Sequence, residues 1–206
     1  MANHSTRTKL LDAAARAFLE HGFDATSMDL IRVAAGVSNG SLYHHFPTKS
    51  QLADALYAHT LREFHGAISE PISGGVGAQA GVQGLIRAYI RWVVTHPDRA
   101  RLLHQLRRVN AVAQTQSDSA DANQQAYTQL RQWVDQQVAA GDLRRMPFAE
   151  WMALVFAPVL SLTPQWVAQT RPSVPARTRA NLEQGAWQAV AAQAAVTQAK
   201  HPAAQP

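Results

Sequence analysis

The chain has no cysteine, which excludes disulfide bridges and thiolate metal sites. Charged side chains make up only 16% of its 206 residues. Apolar ones make up 47%, enough to fill a core and too many for a disordered chain. No apolar run approaches the ~18 residues of a membrane-spanning helix. The N-terminus lacks the apolar stretch of a signal peptide. The expectation is a cytoplasmic protein with no membrane partner. Glycine-rich phosphate loops, a Gly-x-Ser-x-Gly elbow and paired carboxylates at useful spacing are all missing, so no enzyme is expected. The nine histidines are dispersed, and only His44 and His45 are neighbours, whose side chains should diverge on a helix. Neither a metal site nor a cofactor is expected.

Strand signals are missing too. Alanine is abundant and β-branched residues are scattered, so the chain reads as all-α, with about nine helices. The first begins at Ser5 or Thr6, with Leu10, Leu11, Ala14, Phe18 and His21 on one face. Gly22 is its expected left-handed cap, with Phe23 folding back. A second helix runs from Thr26 or Ser27 to Gly36, and a third from Ser38 to just before Pro47. Thr48 and Gln51 form a capping box that opens a fourth, to about Ile68. Residues 71–77 break the pattern. Helices are then expected over 78–95, 97–112, from the end of a polar loop at 114–121 to Ala140, over 147–162 and over 176–199, with a frayed tail after Lys200.

Residues 27–46 are the most informative stretch. Two short helices meet at Ala35-Gly36-Val37, where Gly36 supplies a positive φ and Val37 plugs the gap. Ile31, Ala35, Val37, Leu42 and Phe46 face a core shared with Phe18 and Leu10. The outer face of the second helix then carries Ser38, Asn39, Ser41, His44 and, nearby, Tyr43 and His45. Small and polar groups of this kind bond to phosphates and base edges, as a recognition helix in a major groove requires.

The run from Ala35 to Leu52, with Gly22-Phe23-Asp24-Ala25-Thr26-Ser27 before it, resembles the signature of TetR-family regulators. The resemblance covers about residues 5–60. It implies an N-terminal three-helix helix-turn-helix domain over 1–48, a connecting helix over 49–70 and a helical ligand-sensing and dimerisation domain over 71–206. It implies a homodimeric repressor on a palindromic operator, released by a small-molecule effector. Carried over by position, Ser38, Asn39, Gly40, Ser41, Tyr43, His44 and His45 resemble DNA-contacting residues, and Lys49 a phosphate contact. Thr26, Ser27 and Met28 stand at a helix N-terminus, a natural phosphate site. Arg32 departs from the pattern, occupying a position where many members have a small alanine.

Beyond residue 70 the resemblance implies architecture and little chemistry. A mostly apolar pocket is expected among Phe64, Leu85, Tyr89, Trp92, Leu103, Leu106, Tyr127, Leu130, Trp133, Val134 and Phe156, suited to a hydrophobic or aromatic small molecule. The segment 148–162 is apolar nearly all round and needs covering on two sides. Trp151, Val155, Val159, Leu182, Ala186 and Val190 are the expected dimer contacts in a four-helix bundle. The net charge is +5, yet residues 1–62 are nearly balanced, while residues 87–108 hold six arginines against Asp98. This basic cluster is a solvated face, a patch near the DNA backbone or a site for an anionic ligand headgroup. A helical protein-interaction module without ligand response is the competing reading of the whole chain.

Overall fold

The computed structural model describes residues 5–110 and 118–192, except the side chains of 108–110 and 118–122. These residues form α1 (Thr6–Ala25), α2 (Met28–Ala35), α3 (Asn39–His45), α4 (Lys49–Ser69), a short turn (Glu70–Ile72), α5 (Ala78–Thr95), α6 (Pro97–Asn110), α7 (Asp118–Ala139), α8 (Phe148–Val167) and α9 (Ala176–Val190). The fold is all-α. Hydroxyls start the first four helices. The side chains of Ser5, Ser27, Ser38 and Thr48 accept from the amides of Thr8, Leu30, Ser41 and Gln51 at 3.3, 3.1, 3.2 and 3.1 Å. Each satisfies an amide that the helix cannot, an effect of about 1 kcal/mol.

Two apolar cores result. The first joins α1, α2 and α3 through Leu10, Phe18, Ile31, Leu42 and Phe46. It also takes Leu52 and Leu56 from α4 and Leu102 and Leu106 from α6. The expected boundary at residue 48 therefore cuts through this core. The second core gathers α5, α7, α8 and α9 around Ile86, Trp133, Trp151, Val155 and Val190.

Several elements depart from the sequence reading. Gly22 has φ 81° and ψ 166°, a region reserved for glycine but not the left-handed helical one expected. It kinks α1 and lets Phe23 stack on Phe18 at 5.5 Å between ring centroids. His21 is exposed rather than on the core face. Helix α7 begins at Asp118, inside the expected loop. Helix α8 runs five residues past Leu162, through Pro164. The Thr163 hydroxyl donates to the Val159 carbonyl at 2.7 Å. Burial of Trp166 and Val167 carries the helix on, so tertiary packing overrides the proline signal. Helix α9 stops at Val190, short of the expected 199. There the chain turns extended and pairs with the segment after α7. The Arg144 amide donates to Val190 and the Ala192 amide to Asp142, each at 2.9 Å. Gln193 onward, the loop residues 111–117 and the tail lie outside the described residues.

Gly81 on α5 faces the indole of Trp133. A Cβ there would lie 2.3 Å from the ring, in a core with no room to yield. Gly81→Ala is expected to destabilise the chain by about 1–3 kcal/mol, read from the midpoint of urea unfolding.

Candidate nucleic-acid interface and ligand cavity

The turn between α2 and α3 is built on Gly36, at φ 64° and ψ 39°. Its amide caps α2 by donating to the Arg32 and Val33 carbonyls. Ala35 and Val37 pack, half-buried, against the first core, as their positions imply. The long Arg32 side chain lies along the turn, with Nε donating to Asp29 at 2.8 Å and Nη1 to the Val37 carbonyl at 3.4 Å. An arginine thus fits where a small residue was expected, because it bonds across the turn instead of filling it.

Helix α3 turns Leu42 inward and leaves Asn39, Gly40, Tyr43, His44 and His45 exposed, with Ser41 half-covered. Ser38 is exposed and occupied as the cap. The two imidazoles do not diverge. They meet edge to face at 5.4 Å, and His45 also leans on Phe46 at 6.4 Å. At the start of α2, Ser27 is exposed, and Met28 is half-buried against the core.

Two residues depart from the phosphate contacts expected of them. Thr26 is buried, with its hydroxyl directed to the Gly22 carbonyl at 2.7 Å and the Ala17 carbonyl at 3.1 Å. It locks the kink of α1. The Lys49 ammonium donates to the carbonyls of Phe23, Asp24 and Thr26 at 2.8, 3.2 and 3.0 Å, and sits 4.5 Å from the centre of the Phe23 ring. It closes the C-terminal end of α1, where orphan carbonyls favour a cation. Lys49→Ala is expected to cost about 1–2 kcal/mol, modest for a charged donor because the ammonium is partly solvated. An unchanged unfolding midpoint with lost DNA affinity would return Lys49 to the phosphate role.

A cavity of about 310 Å³ opens between α4, α5, α6, α7 and α8. Of the eleven residues named for a ligand pocket, Phe64, Leu85, Tyr89, Trp92, Leu103, Tyr127, Leu130 and Phe156 line it. Leu106, Trp133 and Val134 do not. Leu106 faces the first core, Trp133 covers Gly81 and Val134 packs into the second core. Each is turned away by the helical period. The aromatic wall is contiguous: Phe64 meets Trp92 at 4.9 Å and Tyr89 at 5.7 Å, both edge to face. Sequence reasoning missed most of the polar lining, namely Tyr57, His65, Ser69, His104, Asn123 and Thr163, and named Arg107 only within the arginine cluster. Their signal was helical spacing, since His104 and Arg107 share a face with Leu103. The Thr163 hydroxyl gives its proton to Val159, so the Tyr89 hydroxyl is the donor in their 2.7 Å bond. Burial pushes the phenols of Tyr89 and Tyr57 above the ordinary tyrosine range, and the Arg107 charge partly opposes this at both. Both phenols therefore stay neutral at physiological pH.

The expected dimer contacts are corrected by the packing. Trp151, Val155, Val159, Ala186 and Val190 are buried in the chain's own core, with Leu182 half-buried against it. The outer face of α8 is instead Ala153, Leu154, Ala157 and Pro158, with Leu154 44% exposed. On α9 it is Asn181, Gly185 and Gln188. The arginine cluster is likewise not one patch. Arg87 pairs with Glu183 at 2.6 Å, Arg91 with Glu70 at 3.4 Å, Arg99 with Glu63 and Arg101 with Asp98. The Arg108 side chain lies outside the described residues. No group of three or more metal-ligating side chains occurs among the described residues.

The described residues thus set a helix-turn-helix in front of a helical domain that holds a cavity. The family model for the bacterial regulatory proteins of the tetR family matches residues 10–56. The transcriptional repressor KstR2 of Rhodococcus jostii is 39% identical over 39% of this chain and 39% of its own length. KstR2 of Mycobacterium tuberculosis H37Rv is 30% identical over 64% of each chain. These matches span less than two thirds of the curated relatives, which are named as transcriptional repressors and not as enzymes. A solved TetR-family regulator from Marinobacter aquaeolei has 26% identity and a TM-score of 0.75, over 92% of this chain and 97% of its own. Over residues 10–56 the chain is thus similar to the tetR-family regulators, and over 92% of its length it is similar in fold to a solved structure of that family.

Proposed function

We propose that this protein is a homodimeric DNA-binding transcriptional repressor, released from a palindromic operator by a small, largely apolar ligand. The exposed polar face of α3 carries the reading, set on a turn capped by Ser27, Gly36 and Ser38. Asn39, Ser41, Tyr43, His44 and His45 would read the major groove, and Gly40 would admit a phosphate close to the backbone. Ser27 and the free amides of α2 would hold a second phosphate. Thr26 and Lys49 would act indirectly, by setting the angle at which α2 and α3 leave α1.

Coupling follows from shared helices. Leu102 and Leu106 of α6 are buried in the first core, while Leu103, His104 and Arg107 line the cavity. Likewise Leu52 and Leu56 of α4 belong to the first core, while Tyr57, Leu61 and Phe64 line the cavity. A ligand that displaces either helix must also move α1, against which both pack. In a dimer this would change the spacing of the two recognition helices. The outer face of α8 around Ala153, Leu154 and Ala157 is small and apolar enough for close helix pairing across a two-fold axis.

Selection of bound sequences from a random DNA pool is expected to enrich a palindrome whose half-sites lie about one helical turn, or a multiple, apart. Tyr43→Ala and Asn39→Ala should each weaken binding by about ten-fold without changing the melting temperature, and affinity should fall steeply with salt. Enrichment of no site would favour an interaction module. Leu154→Glu is expected to yield a folded monomer in sedimentation, and a dimer that survives it would place the interface elsewhere.

A further inference from the structure

The cavity wall is apolar and aromatic for most of its extent, yet two of its basic side chains stand together. His104 and Arg107 lie one helical turn apart on α6, beside Leu103. No aspartate or glutamate is among the described residues that line the cavity. Arg87, Arg91, Arg99 and Arg101 each have a carboxylate partner. Arg107 has neither an ion pair nor a hydrogen bond among the described residues. Its charge nevertheless registers at the hydroxyls of Tyr57, on α4, and Tyr89, deep in the wall. Arg107 and His104 are themselves exposed to solvent, and the Arg107 charge reaches both phenols of the cavity wall.

From these observations we infer that the cavity takes an amphipathic organic anion. An apolar, ring-bearing body lies against Phe64, Trp92, Tyr89 and Phe156, and one anionic head is held at Arg107 beside His104. This rests on the ligand-sensing reading of the cavity and adds the charge and shape of what it senses. A guanidinium presents a planar fork of donors that matches a carboxylate or sulfonate, and a bond of this kind is stronger than one between neutral groups. The volume of about 310 Å³ admits a body of two or three rings. Of the three readings open for the arginine cluster, four of the arginines are paired and partly solvated, and Arg107 serves the anion.

A matched pair of fluorescent probes tests this with the full-length protein and no DNA. Anilinonaphthalene sulfonate carries an aromatic body and an anion, and phenylnaphthylamine is the same body without the anion. The sulfonate is expected to saturate at one site per chain and to bind more weakly as salt rises. Arg107→Gln should weaken the sulfonate by about ten-fold or more and leave the neutral probe within about two-fold. Leu103→Trp, which fills the cavity, should abolish binding of both in a protein that circular dichroism shows to be folded. The inference is overturned if Arg107→Gln leaves the sulfonate unchanged or weakens both probes alike. It is equally overturned if the sulfonate does not saturate, or if folded Leu103→Trp binds it undiminished. DNA selection with the unliganded protein tests the regulator reading separately, so either can fail without the other.

Discussion

Helix α6 joins the two halves of this molecule because of the helical period alone. Successive residues on a helix point about 100° apart. Leu102 and Leu106 therefore enter the first core while their neighbours Leu103 and Arg107 face the cavity. Neither surface can shift without the other. Helix α4 repeats the arrangement along its length, with its first turns in the first core and its later ones in the cavity wall. Separating the halves would expose Leu102, Leu106, Leu52 and Leu56 together, so they move as a linked pair rather than as beads on a linker.

The helix-turn-helix end is held by polar contacts over an apolar core. Lys49 at the C-terminal end of α1, Thr26 on the Gly22 carbonyl and Arg32 across the turn all bond to backbone carbonyls. Their geometry fixes the crossing of α1, α2 and α3. The side chains left over on α3 are those with no structural duty. That division separates residues that build the helix-turn-helix from residues left exposed on it, and it moves Thr26 and Lys49 into the first group.

The cavity-bearing end is built the opposite way. Its core is apolar and aromatic, and the polar groups that remain are concentrated on the cavity wall. Tyr89 and Thr163 satisfy one another there, while Arg107 has no partner among the described residues. A surface charge without a partner is ordinary. One beside an aromatic cavity without carboxylates marks where an incoming group would find its complement.

Capping chemistry and periodicity made most of the helices legible from the chain itself. Ser5, Ser27, Ser38, Thr48, Gly36 and Pro97 act within a few residues of their own position, so α1 to α6 begin and end close to where those residues stand. The recognition face of α3 was legible for the same reason: a seven-residue helix with Leu42 inward leaves little choice for the rest. Tertiary structure alone decided what depends on distant partners. The burial of Trp166 carried α8 through Pro164, and pairing with the segment after α7 ended α9. Facing directions on α8 and α9 turned Trp151 and Val155 inward, because an all-apolar helix does not state which side its own core will take. The capture of Lys49 by α1 and the lone charge of Arg107 at the cavity were likewise beyond sequence. Local interactions are written in neighbouring residues, whereas burial and charge pairing depend on which surfaces meet.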